Sequence, residues 1–194
     1  MIGKRMLDGM NEQIKHETYS AYLYFAMAAD FHAKGLDGMA QWMKAQAQEE
    51  LSHALRFFNH IDERGGRIEL QAIDKPQVEW ESPRAAFEAA LKHEEFITAR
   101  IDELVELARE ENDNAAGIML QWFVSEQVEE EASVTKVLDT LNLIGDSGHG
   151  MLMVDRDLGQ RVAGPPPQVR LVGDGHILRF RRTHKVADPN RNLV

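Results

Sequence analysis

The stretch AQWMKAQAQEELSHALRFFNHI, residues 40–61, predicts an amphipathic helix with a glutamate on its apolar face. Its apolar stripe repeats at alternating steps of three and four residues, as on a helix that packs into a bundle core. That stripe consists of Ala40, Met43, Ala47, Glu50, Ala54, Phe57 and Ile61. His53 follows Glu50 by one turn, which forms the Glu-x-x-His unit with which one helix offers two ligands to one ion. Because an unpaired buried carboxylate is costly, Glu50 needs an arginine, a tyrosine or a metal ion as partner.

Composition restricts the chemistry that is available to this helix. The chain has 194 residues, of which 43% are hydrophobic, enough for one sizeable core. It has no cysteine, so disulfides, thiolate metal sites and cysteine nucleophiles are excluded, and any metal site must use carboxylate and imidazole. No window approaches the ~18 apolar residues of a membrane span, and the N-terminus lacks the apolar core of a signal peptide. We therefore expect a soluble, cytoplasmic protein without a membrane partner.

Charge divides the chain into an acidic body and a basic end. From residue 162 onward, six basic residues stand against two acidic ones, a net +4 that leaves −14 for residues 1–161 within a total of −10. An acidic body disfavours nucleic acid as a partner and attracts cations. We expect a helical domain over residues 1–162 and a basic extension over 163–194. In that extension GPPP at 164–167 excludes a helix, and alternation on both sides of Gly-Asp-Gly predicts a short β-hairpin of open role.

The periodicity predicts an all-α bundle of four long helices. They span about residues 4–32, 36–64, 83–111 and 115–144, and a short fifth helix follows at 151–162. Gly35 separates the first two helices so closely that they must be antiparallel neighbours. Residues 67–82 contain Pro76 and no helical pattern. At roughly 3.3 Å per residue they can run the length of a helix, which makes the second and third helices parallel and gives one long crossover.

Each long helix carries a glutamate on its predicted stripe, near its midpoint. Mid-helix positions meet at one level whichever way each helix runs, so these carboxylates should converge with His53. The four are Glu17, Glu50, Glu94 and Glu130. Like charges at such distances repel strongly in a low dielectric, so the cluster must hold protons or cations. Oxygen-rich sites with a single imidazole suit iron or manganese.

The other candidate positions are defined by the same helical spacing. Tyr24 lies two turns beyond Glu17 on the first helix, where its hydroxyl could bond to a polar core group. Along the fourth helix the predicted inward line is Ala116, Met119, Phe123, Glu126, Glu130, Ser133, Val137 and Thr140. The remaining histidines before residue 150 are expected to face solvent, namely His16, His32, His60, His93 and His149.

Residues 1–162 resemble the bacterial and archaeal non-haem ferritins. The matching motifs are NEQIKHETYSAYLYFAMA, AQEELSHALRFF, ERGGR, ALKHEEF and LQWFVSEQVEEEAS, in the family's order and spacing. The resemblance implies a ferritin-like fold and a ferroxidase that oxidises ferrous iron with oxygen or peroxide. It also implies that the ferric oxide-hydroxide mineral is stored inside a 24-mer cage of identical subunits.

The resemblance assigns a role to each residue of a dinuclear centre. Glu17 and His53 would hold one iron, and Glu50 would bridge the pair. Glu94 and Glu130 would hold the second iron.

Further roles surround that pair. Gln127 would lie beside the second iron, near the place where oxygen binds, and Tyr24 would be the redox-active tyrosine. A third iron site would be formed by Glu49, Glu126 and Glu129, with Glu130 shared.

Two positions distinguish this sequence from the related bacterioferritins and rubrerythrins. Bacterioferritins and rubrerythrins carry a second Glu-x-x-His on the fourth helix, whereas here Glu130 is followed by Ser133. Leu51 stands where bacterioferritins have a haem-ligating methionine, so no haem is expected. Two alternatives stay open: a di-iron oxidase or peroxide scavenger that stores nothing, and a metal-free shell or cargo protein. Mineral formation tests the first alternative, and iron binding tests the second.

Overall fold

The computed structural model of the protein describes residues 1–162, which form five helices and no strand. The helices are α1 (Lys4–Ala33), α2 (Asp37–Glu63), α3 (Pro83–Glu110), α4 (Asn114–Ile144) and α5 (Gly148–Leu158). The all-α prediction is confirmed, although α5 begins and ends earlier than the predicted 151–162. The hairpin predicted within 163–194 lies outside the described residues. None of these five helices combines the length and apolar composition needed to cross a membrane.

The helix ends follow from local sequence signals. Ser82 precedes Pro83 and accepts a hydrogen bond from the backbone N–H of Ala85 at 3.1 Å, which caps α3. Asp113 caps α4 in the same way, accepting from the N–H of Ala116 at 3.0 Å. Gly35 has φ +73°, a backbone conformation that glycine adopts without steric cost, and so permits the tight turn between α1 and α2.

Contacts at the two ends of the bundle fix the helix directions. At one end, Lys34 after α1 donates a hydrogen bond to the carbonyl of Trp80, just before α3 begins. At the other end, Arg64 after α2 pairs with Asp113 at the start of α4, with Nη1 and Oδ2 2.7 Å apart. The starts of α2 and α3 therefore share one end, and these helices are parallel. The predicted long crossover is confirmed.

Two apolar clusters fill the bundle, one toward each end. The first surrounds Tyr24, Phe31, Trp42, Met43 and Phe87, and the second surrounds Met10, Phe57, Ile61, Ile101 and Phe123. Every member of the stripe predicted for the second helix is buried, and so are Glu17 and Glu94 on the first and third helices. The level between the two clusters is left to polar side chains.

The inward line of α4 differs from the predicted one. Four of its expected members are only partly buried, namely Met119, Glu126, Ser133 and Thr140. The buried line is Ala116, Leu120, Phe123, Gln127, Glu130, Val134, Val137 and Leu141. This line is displaced by about one residue toward the larger apolar side chains, because they gain more by leaving water than serine, threonine or glutamate do.

The short helix α5 docks on the start of α2. Asp155 accepts a hydrogen bond from the N–H of Met39 through Oδ1 at 2.8 Å, which satisfies one of the free donors at the N-terminus of α2. A Cβ added at Gly38 would lie 1.7 Å from the carbonyl oxygen of Asp155, so only glycine permits this approach. The contact directs the chain after α5 toward the middle of α2.

Candidate metal centre

The polar level of the bundle contains one carboxylate from each long helix. Glu17, Glu50 and Glu94 are exposed by at most 1%, and Glu130 by 4%. His53 joins them at 2% exposure. The expected burial of all five is confirmed, and we call this set the inner cluster.

Glu17, Glu50 and His53 form one side of the inner cluster. One ligand atom from each lies within 4.8 Å of the others, close enough to share an ion. His53 Nδ1 is 3.3 Å from Glu50 Oε2 and 3.8 Å from Glu17 Oε2. Gln13, one turn before Glu17 on α1, donates to Glu17 Oε1 at 2.8 Å.

Glu94 and Glu130 form the other side. The hydroxyl of Tyr24 donates a hydrogen bond to Glu94 Oε1, and Gln127 Nε2 lies 3.4 Å from Glu94 Oε2. Gln46, one turn before Glu50, donates to Glu130 Oε2 at 2.6 Å. Tyr24 and Gln127 therefore both contact Glu94.

Sequence reasoning missed the two glutamines, Gln13 and Gln46, that are fully buried beside the cluster. Each precedes a core glutamate by four residues and therefore shares its helix face. A long polar side chain at that spacing was the signal that could have identified them. Hydrogen bonds of this kind fix the orientation of ligating carboxylates.

Several atoms of the inner cluster are buried without a hydrogen-bond partner. They are Oε2 of Glu17, Oε1 of Glu50 and Nδ1 of His53, whose 3.3 Å approach to Glu50 lacks hydrogen-bond geometry. Buried polar atoms are nearly always paired, so three unpaired atoms in one place are available to hold a ligand. Two carboxylate oxygens and an imidazole nitrogen are donors that suit a divalent iron-like ion.

Burial and mutual repulsion change the protonation of these groups. Burial, followed by the charge of Glu50, raises the pKa of Glu17 to about 8. Burial and then Glu94 raise the pKa of Glu50 to about 7, and burial and then Glu130 raise that of Glu94 to about 8. Burial alone would lower the pKa of His53. The negative charge of the adjacent Glu50 carboxylate and its neighbours outweighs burial, so the pKa of His53 is raised well above its ordinary value. Without metal the cluster retains protons near neutral pH, and a cation must displace them.

The candidate third site lies at the rim of the inner cluster. Glu126 Oε1 is 3.8 Å from His53 Nε2, and ligand atoms of His53, Glu126 and Glu130 lie within 4.8 Å of one another. Glu129 is exposed and is not part of that group. Glu49 accepts a hydrogen bond from Arg161. We call Glu49, Glu126, Glu129 and Glu130 the outer cluster.

The other histidines only partly match the expectation of solvent exposure. His32 and His149 are exposed, as predicted, whereas His16 and His60 are half-buried. His93 is half-buried as well. Its Nε2 is 2.7 Å from Ser20 Oγ, and burial followed by the charge of His16 lowers its pKa to about 4. The packing of α3 on α1 covers this face of the helix.

One buried carboxylate from each of four helices, converging on one imidazole, defines a metal-binding helical bundle. A family model described as Ferritin, ferritin-like domain, matches residues 7–144. The chain therefore belongs to the ferritin family.

Individual relatives agree with this assignment. The chain is 38% identical to the bacterial non-heme ferritin of Bacteroides fragilis over 161 residues, 83% of this chain and 100% of that protein. It is 36% identical to a probable bacterial non-heme ferritin-like protein of Haemophilus influenzae, over 82% of this chain and 96% of that protein. Among solved structures, an open pore ferritin from the hyperthermophilic archaeon Archaeoglobus fulgidus aligns with a TM-score of 0.83 and 48% identity. That alignment covers 84% of this chain and 100% of the archaeal one.

Proposed function

We propose that this protein is an iron-storage ferritin with ferroxidase activity. It binds ferrous iron at the inner cluster, transfers electrons from the iron to oxygen or peroxide, and keeps the product as a ferric oxide-hydroxide mineral. The observation that carries this proposal is the inner cluster itself, with its unpaired ligand atoms buried inside the bundle. The non-heme ferritin names of the relatives support iron as the substrate.

Within this proposal, the side chains of the inner cluster divide two ferrous ions between them. Glu17 and His53 hold the first ion, Glu50 bridges, and Glu94 and Glu130 hold the second. Electrostatic stabilisation by carboxylates grows with the charge of the ion, so the acidic set binds ferric iron more strongly than ferrous iron. The cluster therefore favours loss of an electron from the bound substrate.

Hydrogen-bonding side chains orient the carboxylates. Gln13 and Gln46 donate to Glu17 and Glu130, so that each acid keeps its second oxygen available for an ion. Tyr24 donates a hydrogen bond to Glu94, the proposed ligand of the second ion, and would act as the redox-active tyrosine. Gln127, whose Nε2 is 3.4 Å from Glu94 Oε2, would lie beside that ion, near the oxygen-binding position.

The outer cluster supplies a third iron position in this proposal. Glu130 belongs to both clusters, and Glu49, Glu126 and Glu129 extend from it toward solvent. An ion leaving the dinuclear pair would meet carboxylates at each step.

The whole assembly follows the same reasoning. We propose a cytoplasmic 24-mer cage in which residues 1–162 form the ferritin domain and 163–194 a separate extension. Haem is not expected, because Leu51 stands on the outer face of α2 at 40% exposure in place of a methionine ligand.

Aerobic loading tests the proposal. Purified protein receives ferrous iron far beyond three ions per subunit while ferric absorbance and particle size are followed, with E50A and H53A beside it. Fast oxidation with a large iron-filled particle, slowed in both variants, is the expected result. Saturation at two or three ions on a small particle would instead favour the di-iron oxidase that stores nothing. Absence of iron binding would favour the metal-free shell.

A further inference from the structure

Arg161, which follows α5, is fixed beside the outer cluster by three side chains. Its Nη2 is 2.6 Å from Glu49 Oε2, and its Nη1 donates to Ser133 Oγ at 3.3 Å. Its guanidinium carbon lies 4.6 Å from the ring centre of Trp42, in a cation–π contact. The paired side chains of Arg161 and Glu49 are only 22% and 20% exposed. Partial burial makes this ion pair less sensitive to screening than a surface pair.

The guanidinium occupies one oxygen of Glu49, a carboxylate of the outer cluster. Arginine remains charged at all ordinary pH values and donates to the same carboxylate oxygens that ligate metals. The carboxylate oxygen that receives Nη2 at 2.6 Å has little room for an ion at bonding distance. Glu49 therefore has two competing cationic partners, one internal and one external.

We propose that Arg161 is a built-in competitor for the outer metal position. Its guanidinium neutralises Glu49 while the position is empty, and it must leave Glu49 when a ferrous ion binds there. The proposal rests on the proposed function, because it concerns the regulation of the third iron position.

The surroundings of Arg161 give its side chain somewhere to go. Arg161, Ser133 and Trp42 are among the residues that line a cavity of about 570 Å³. Asp157 lines the same cavity and offers a second carboxylate acceptor. The arginine can thus leave Glu49 without entering the apolar core.

Competition also works in the opposite direction. If Arg161 weakens metal binding, then metal binding weakens the hold of Arg161 by the same factor. Three backbone hydrogen bonds hold the turn that carries Arg161. The N–H groups of Gly159, Gln160 and Arg161 donate to the carbonyls of Asp155, Asp157 and Leu158, respectively. Occupation of the outer position should therefore loosen the end of α5.

Anaerobic calorimetric titration of the full-length protein with ferrous iron tests the competition. In R161Q the first two binding steps should stay unchanged, and the third should tighten by about tenfold, as expected for loss of a charge-assisted bond. R161K keeps the positive charge but lacks the planar guanidinium with its paired N–H donors. Its affinity at the third step should lie between those of R161Q and wild type. R84Q is the matched control, because Arg84 lies on α3 and pairs with Glu88 at the surface, away from Arg161 and its neighbours. It removes the same charge and should leave all three steps as in wild type.

Hydrogen exchange at residues 159–161 gives an independent measurement. Exchange should accelerate in wild type when the third equivalent of ferrous iron binds, and R161Q should show fast exchange with or without iron. A third step that is absent from every variant, or unchanged in R161Q, overturns the inference. Loss of the first two steps in wild type would instead contradict the proposed function, so the two failures are distinguishable.

Discussion

The hydroxyl of Tyr24 on α1 donates a hydrogen bond to Oε1 of Glu94 on α3, joining two buried groups that are 70 positions apart in the chain. Burial, followed by the charge of Glu94, raises the pKa of Tyr24 well above its ordinary value. Tyr24 therefore remains a proton donor at any physiological pH. The bond fixes one oxygen of Glu94 and leaves Oε2 directed at Gln127 and the cluster.

Removal of this hydroxyl should affect both stability and iron oxidation. In Y24F, Glu94 loses a donor inside the bundle, at a cost of about 1–3 kcal/mol in unfolding free energy. We expect slower oxidation of the second iron as well, because Glu94 is no longer oriented. Chemical unfolding and stopped-flow ferric absorbance measure the two effects. Y22F is the control, since Tyr22 is 47% exposed on the same helix. Equal effects of Y22F and Y24F would contradict the role of the bond.

Neutralising a buried acid should separate stability from activity. In E94Q the metal-free protein loses a carboxylate whose pKa is raised to about 8, so its repulsion with Glu130 disappears and its stability at pH 8 should rise. Oxidation should fall by at least about tenfold, because a proposed iron ligand is lost. The same two measurements on E95Q provide the comparison, because Glu95 is the exposed neighbour. A variant E94Q that oxidises iron at the wild-type rate would exclude Glu94 as a ligand.

Stability of the metal-free protein should fall as pH rises. Glu17 and Glu94 have folded-state pKa values of about 8 against an ordinary value of 4.5, so the folded protein binds more protons than the unfolded chain between these limits. The unfolding free energy therefore decreases as pH rises across that window. The stabilisation from proton binding at Glu17 and Glu94 is fully present below about pH 4.5 and is lost as pH rises through about 8. Denaturant titrations of chelator-treated protein at pH 5, 6.5 and 8 measure the slope. The double variant E17Q/E94Q should have a flatter profile, and a stability that rises throughout this range would refute the assignment.

Ferrous iron should reverse this dependence. Binding displaces protons from the inner cluster, so the stabilisation by anaerobic ferrous iron should be larger at pH 8 than at pH 6. Proton release can be followed with a pH indicator in weakly buffered solution. No release at pH 7 would mean that the carboxylates were already ionised in the metal-free protein.

The contact between α5 and α2 should be sensitive to a single methyl group. In G38A the added Cβ would lie 1.7 Å from the carbonyl of Asp155, so α5 must move and the cap at Met39 is lost. We expect a loss of about 1–3 kcal/mol in unfolding free energy. G117A is the matched control, because no atom lies within 4 Å of its added Cβ and alanine favours a helix by roughly 0.5–1 kcal/mol. Thermal unfolding compares them, and a stable G38A would show that α5 is not held through Gly38.

The inner cluster was predictable because helical periodicity is a local property. Glu17, Glu50 and Glu94 each stand on an apolar stripe near the middle of a helix, and the burial of such stripes follows from the hydrophobic effect alone. The rotation of α4 was less certain. Its sequence places Gln127 beside Glu126, and the choice between neighbouring lines depends on packing against α3, which a single helix does not reveal.

Contacts between distant elements were beyond the reach of the sequence. Arg161 and Glu49 are 112 positions apart, and their pairing depends on the angle at which α5 crosses α2. That angle depends on the absence of a side chain at Gly38. The reason for this glycine can be recognised only in the folded structure, where the carbonyl of Asp155 packs against it. The partial burial of His93 was missed for a similar reason, because its partner Ser20 belongs to another helix.

The supply of one carboxylate by each long helix has a consequence for the alignment of those helices. Displacing one helix by a single turn would move its glutamate by about 5.4 Å, too far for it to share an ion with the other three. Apolar stripes of repeating alanine, methionine and phenylalanine tolerate such a displacement better, because one turn brings a similar side chain into place. Iron binding would thus select one longitudinal alignment of the bundle over the displaced alternatives, and the substrate would help to specify the fold that oxidises it.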